Sequence, residues 1–168
     1  MTDKSIFDVD ETEDLSEDEI TERFSHVRKI VAFDFADELY GVDIDQVSSI
    51  LLLLPIMPLP RAPGFVLGLV NLRGSLLPLI DLRIKFGLGV NVLTESSRIV
   101  VLESEDLRVG MIVDRVWTLL RLPQDVFQPA PPGVAKIDTE YFKEVCSVDN
   151  RLLIILNINK LLTETAAA

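Results

Sequence analysis

One histidine, His26, and one cysteine, Cys146, are all that the chain offers for imidazole or thiol chemistry. A thiolate beside an imidazole can act as a nucleophile with its base, and both side chains ligate zinc. A zinc site needs three or four ligands at characteristic spacing, and here there is one of each. His26 lies between an acidic segment and the first apolar run, so it reads as a solvated linker residue. Cys146 falls in an apolar strand pattern, where a free cysteine behaves as a small core hydrophobe. The glycines at 64, 68 and 74 do not form a strand-to-helix phosphate cradle, and Glu105-Asp106 reads as an ordinary turn. The expectation is a non-enzymatic protein with no cofactor and no metal.

More informative are polar residues set into an apolar stretch. From Gly68 to Phe86, two apolar runs meet at Arg73-Gly74, with Asn71 just before the corner and Pro78 and Asp81 after it. Short apolar runs bounded by turn signals suit strands, and Gly74 can take the positive φ of a tight hairpin. Charges among so many apolar groups must be paired or must meet a partner. Arg73 has two readings: a buried guanidinium braced by Asp81 or by backbone carbonyls, or a fork at a groove floor that meets a partner's acidic or amide group.

The elements that would position this hairpin are mostly β. Val31, Phe33 and Phe35 alternate with Ala32 and Asp34, the period of a half-buried strand. Asp37-Glu38 turns the chain into Leu39–Val42, where Gly41 marks a bulge or a close backbone approach. Asp43 can cap one helical turn over Ile44–Val47. Ile50–Leu54 reads as a fully apolar strand ended by Pro55, with a proline-punctuated segment after it. Residues 87–96 read as a loop. Arg98–Ser104 and Leu107–Val113 form a hairpin, Val116–Leu122 follows, and Pro123–Gly133 is a long connection. Val145–Val148 and Leu152–Leu156 flank Asp149-Asn150, and Asn157 caps a terminal helix that frays over 166–168. About ten short strands with tight turns predict an all-β fold. Two barrels of about five strands each can be filled by side chains, whereas one of ten leaves a wide interior.

The net charge of −11 is uneven: residues 1–22 hold ten carboxylates against Lys4 alone, a local −9. This predicts an acidic, disordered tail over residues 1–27, of which residues 1 to about 24 are dispensable for folding, ahead of a folded domain over 28–165. Ser16 to Glu19 could form a capping box that starts a short helix through about Ser25. The nearly neutral remainder offers no basic stripe, so nucleic acid is not expected as a partner. The longest apolar run, Ile50–Leu59, is cut by Pro55 and Pro58 and falls short of a membrane span. The N-terminus has no secretion signal and the single cysteine fits a reducing compartment, so a cytoplasmic protein is expected.

The hairpin Gly68, Asn71, Arg73, Gly74, Pro78 and Asp81 strongly resembles the signature of the CheW family, bacterial chemotaxis adaptors that couple receptors to a histidine kinase. The resemblance runs from about Lys29 to about Leu162. It takes in Val31–Phe35 with Glu38–Ile44, then Gly110–Val116, Pro129–Pro131 and Asn157–Leu162. It implies two SH3-like barrels side by side with a hydrophobic groove between them. It also implies two partners at receptor arrays on the inner face of the membrane: the regulatory domain of a CheA-type histidine kinase, and the helical tip of a chemoreceptor.

By the same resemblance, Val47, Ser49, Arg73, Gly74, Val116 and Leu119 fall where the receptor groove is lined. Two features depart from the family pattern. Ser49 stands where an acidic residue usually pairs with the hairpin arginine, and Leu51–Leu54 stand where polar and charged residues are common. An apolar patch exposed there would mark an interaction surface. The other functions implied are a fold of this kind serving a non-chemotaxis kinase pathway, or one that sequesters a partner. The kinase itself would need phosphotransfer and ATP-binding regions, and a CheV-type adaptor a receiver domain; the sequence has neither.

Overall fold

The first strand is buried on both faces, which its alternating pattern did not predict: Ile30, Ala32 and Phe33 are all fully buried. This computed structural model describes residues 16–17, 26–89 and 93–166. The acidic segment and the helix expected from Ser16 to about Ser25 lie outside the described residues, apart from Ser16 and Glu17. The described elements are β1 (Val27–Phe35), β2 (Glu38–Asp43), β3 (Val47–Leu51), β4 (Val66–Leu72), β5 (Ser75–Ile80) and β6 (Arg98–Ser104). They continue with β7 (Leu107–Val113), β8 (Arg115–Pro123), β9 (Gln128–Pro129), β10 (Phe142–Val148) and β11 (Arg151–Leu156). Two helices, α1 (Leu82–Lys85) and α2 (Ile158–Ala166), complete the set, with single 3₁₀ turns at Ile44–Gln46, Gln124–Val126 and Thr139–Tyr141.

These strands form two sheets, in the orders β8-β1-β2-β11-β10-β9 and β3-β6-β7-β5-β4. Each is drawn into a barrel by a strand that resumes after a break. Beyond the 3₁₀ turn at Gln124, β8 continues as β9, which pairs with β10 on the far side of the first sheet. Beyond β3, Met57 exchanges two 2.8 Å backbone hydrogen bonds with Leu69 of β4 at the opposite edge of the second sheet. Both devices pair backbone groups that an open edge would leave free. The second barrel is one continuous stretch, residues 47–113, set between β2 and β8 of the first.

Three apolar cores follow. Ile30, Leu39, Leu120, Cys146, Leu153 and Ile155 fill the first barrel, and Val70, Leu77, Leu79, Ile99, Val101 and Ile112 fill the second. The largest lies between them, where Phe33, Phe35 and Tyr40 of one barrel meet Val100, Leu102 and Met111 of the other under Leu161 and Leu162 of α2. β1 is thus buried twice over, with Ala32 in one core and Phe33 in the next. At Gly41 the backbone approach is close, since a Cβ there would lie 2.5 Å from Ile30 Cγ2.

Several boundaries differ from expectation. The apolar strand is Val47–Leu51, not Ile50–Leu54, because the backbone beyond Leu51 leaves the ladder to reach β4. The first hairpin turns at Ala36-Asp37, both with positive φ, one residue earlier than expected. Asp43 stands at the N-cap of its 3₁₀ turn but makes no capping bond; its carboxylate is taken by Arg28 at 3.1 Å. The connection after Pro123 contains β9, and β10 begins three residues before Val145. Asn157 caps α2 as expected, its Oδ1 accepting from Lys160 N.

α1 and α2 are clasped across the inter-barrel core. Lys85 Nζ donates to Glu164 at 2.8 Å and lies 4.1 Å from the centre of the Phe65 ring, while Tyr141 Oη donates to the same carboxylate at 2.6 Å. The Lys85, Tyr141 and Lys160 donors together hold Glu164 down to about 2. A carboxyl depressed in the folded state stabilises it above its unfolded value and loses that contribution as pH falls. Stability from this clasp should therefore decline between about pH 4.5 and pH 2, and Glu164→Gln should flatten that part of the curve in acid unfolding followed by circular dichroism.

Candidate functional site

The six residues expected at the receptor groove do not stay together. Arg73-Gly74 is the exposed two-residue tip of the β4–β5 hairpin, with φ of 53° and 85°. Asn71 Oδ1 accepts from Gly74 N and locks that turn. Arg73 is solvated and has no hydrogen bond or ion pair with a described residue, which corrects the reading of it as a buried, braced guanidinium. Asp81 cannot brace it, because Asp81 lies at the opposite end of β5, roughly 20 Å along the strand. There Asp81 is 2% exposed and caps α1, its Oδ1 accepting from Arg83 N. Arg73→Ala should accordingly shift stability by no more than about 0.5 kcal/mol in urea unfolding, the usual range for a surface change.

Ser49 is not a groove residue either. It pairs with Val101, a member of the second barrel's interior, and so projects inward. An acid at this position would point to the barrel interior, whereas Arg73 stands outside it.

Val47 and Val116 both lie against the inter-barrel core, and two β-bulges set which residues share their faces. In β8, Val116 opposes Phe33 while Thr118 opposes Ala32, so Trp117 is the extra residue. Without that bulge, residues three apart would face opposite sides of a strand. With it, Val116 and Leu119 share the face that carries Phe33 and Val31. The same device recurs in β3, where Val47 opposes Leu102 and Ser49 opposes Val101, leaving Ser48 extra. Val47 and Ile50 therefore share one face. Val47 and Val116 both pack against the inter-barrel core, one from each barrel. Ile50 and Leu119 stand beyond them, 41% and 43% exposed. Each barrel thus carries an apolar pair beside the inter-barrel core, Val47 with Ile50 and Val116 with Leu119. Asp45, Glu103 and Glu105 line a depression beside Val47 and give that end an acidic rim. Ile50 was not anticipated on the Val47 face, and its signal was a three-residue spacing from Val47 that matches the spacing from Val116 to Leu119.

A second apolar face lies on the outside of the second barrel. Met57, Leu69 and Pro78 form one row across three backbone segments, and Leu76 follows Pro78 on the same side of β5. Met57, Leu59 and Leu76 are 45%, 43% and 57% exposed. The row ends at a cavity of ≈ 440 Å³ whose lining includes Val66, Pro78, Thr165 and Ala166. Leu52 is 67% exposed, whereas Leu51, Leu53 and Leu54 pack against the second barrel's core.

The thiol of Cys146 is buried in the first barrel, and burial pushes it up to about 11, far from a thiolate at neutral pH. No group of three or more His, Cys, Asp or Glu among the described residues is placed to hold a metal ion. No helix among them is long and apolar enough to cross a membrane.

Paired small barrels with two separate apolar faces define a class, a two-barrel protein-interaction module. The chain belongs to the CheW-like family, whose domain model matches residues 29–166. It is 34% identical to the chemotaxis protein CheW of Treponema pallidum over 79% of this chain and 81% of that protein. It is 33% identical to the chemotaxis protein CheW of Klebsiella aerogenes over 84% and 85%. The crystal structure of the scaffolding protein TtCheW from Thermoanaerobacter tengcongensis is similar, with a TM-score of 0.72 at 36% identity over 78% of this chain and 84% of that one.

Proposed function

We propose that this chain is a non-enzymatic chemotaxis adaptor that holds a chemoreceptor and a CheA-type histidine kinase together in the cytoplasm, at receptor arrays on the inner face of the membrane. The observation that carries this reading is the pair of apolar faces, one beside the inter-barrel core and one on the outside of the second barrel. An amphipathic helix binds by laying apolar residues at i, i+3 and i+4 into a groove. Val47, Ile50, Val116 and Leu119 offer such a groove to the helical tip of a receptor, and the acidic rim would meet basic residues beside its stripe. The face formed by Met57, Leu69, Leu76 and Pro78, with Arg73 at its end, is the kinase side. There a homologous barrel of the kinase regulatory domain can pack on the apolar row while Arg73 meets a carboxylate.

In this reading the adaptor works by placement alone. A change in the receptor tip alters its fit in the groove, and the rigid inter-barrel core passes that change to the kinase face. Affinity purification of the chain from its host should recover both a receptor and a kinase. Recovery of neither would overturn the reading. Arg73→Ala should lower kinase recovery while leaving receptor recovery unchanged.

A further inference from the structure

Residues 47–80 contain two charged side chains, Arg61 and Arg73, and no acid. Both arginines are exposed, and neither makes a hydrogen bond or ion pair with a described residue. They stand at opposite ends of β4. Arg61 is in the turn that leads toward it and Arg73 is at its far tip, so the seven residues of the strand separate them by roughly 25 Å. Between them runs the row of Met57, Leu69, Leu76 and Pro78, in which Met57 and Leu76 are exposed and the other two half-buried. A ligand for this surface must be apolar in its middle and acidic at both ends.

The chain carries an apolar cluster in an acidic context. Asp3 and Asp10 bracket Ile6, Phe7 and Val9, with Lys4 and Asp8 also between them, and eight residues reach about 25 Å when extended. The surrounding residues 1–22 have a net charge of −9. Reach is no obstacle, since the fold has a diameter of roughly 40 Å and the segment lies 15 or more residues ahead of His26. We infer that the acidic N-terminal segment around Asp3–Glu11 docks on the Arg61–Arg73 face of its own second barrel and covers it until a partner displaces it. That partner is the kinase only insofar as the proposed function holds.

The fold supplies a probe. Met57 sits in the middle of the row, while Met111 is fully buried and serves as an internal control. In the full chain labelled with ¹³C-methyl methionine, Phe7→Ser combined with Asp3→Asn and Asp10→Asn should move the Met57 methyl resonance and leave Met111 in place. Raising salt from 0.05 to 0.5 M should move Met57 the same way, because it shortens the screening length to roughly 4 Å. A Met57 resonance indifferent to the N-terminal substitutions would overturn the inference. So would one that moves only with protein concentration, which would make a second copy the occupant. Added kinase regulatory domain is a separate arm. If it leaves Met57 unmoved while the N-terminal substitutions move it, the intramolecular docking stands and the kinase assignment of this face falls. If both act, the substituted chain should bind the kinase domain several-fold more tightly.

Discussion

Val47→Asp is expected to abolish receptor coupling, with a loss of roughly 100-fold or more in affinity for the helical tip. Val47 packs against the inter-barrel core and opens onto the groove, so a carboxylate there would be driven against the partner's apolar stripe. Truncation of a central apolar contact costs about 2–4 kcal/mol, and an unpaired charge at the same place adds desolvation to that. Because Val47 is only partly buried, at the end of β3, the chain should still fold. Leu119→Asp is the stricter arm: Leu119 is 43% exposed, yet it shares the Val116 face. Both variants should keep a cooperative thermal transition and lose the receptor tip in a direct titration.

Gly68→Ala should have the largest effect on stability, about 3 kcal/mol or more. Gly68 has a φ of +151°, and a Cβ there would collide with the carbonyl oxygen of Met57. That carbonyl accepts from Leu69 N in the bridge that closes the second barrel, so the clash strains the closure itself. The neighbouring turn provides a comparison. Gly74 also has positive φ, but nothing lies within 4 Å of the added methyl, so Gly74→Ala should cost only the local backbone preference of about 1 kcal/mol. In a chain of this size the first variant should lower the thermal midpoint by roughly 10 °C and the second by a few degrees. Equal shifts would show that backbone conformation, not barrel closure, sets the cost.

The β-hairpins and the two-barrel architecture were legible because turn dipeptides and apolar alternation are local signals. Asp149-Asn150 and Arg73-Gly74 turn where their residue types say they should. The leucine run was misplaced because residues 50–54 carry no periodicity, and the end of β3 is set by the distant bridge from Met57 to Leu69. Arg73 and Asp81 looked like partners because both are charges in one hairpin, yet a strand's length separates them. The resemblance pointed to Val47, Val116 and Leu119, but the faces they lie on were not legible as geometry. Two bulges, at Ser48 and Trp117, are what turn a three-residue spacing into a shared face, and no residue type announces a bulge. The outer face on the second barrel was invisible for a related reason. Met57, Leu69 and Pro78 become one row only through pairing between segments far apart in the chain.

That two separate faces serve two partners is tested most directly by a crossed binding map. Leu119→Asp and Leu76→Asp, both at exposed positions, would each be titrated with a receptor helical-tip segment and with the kinase regulatory domain. The account predicts that Leu119→Asp loses the receptor tip and keeps the kinase domain, while Leu76→Asp does the reverse. Retention of both partners by both variants, or loss of both partners from either correctly folded variant, would contradict it.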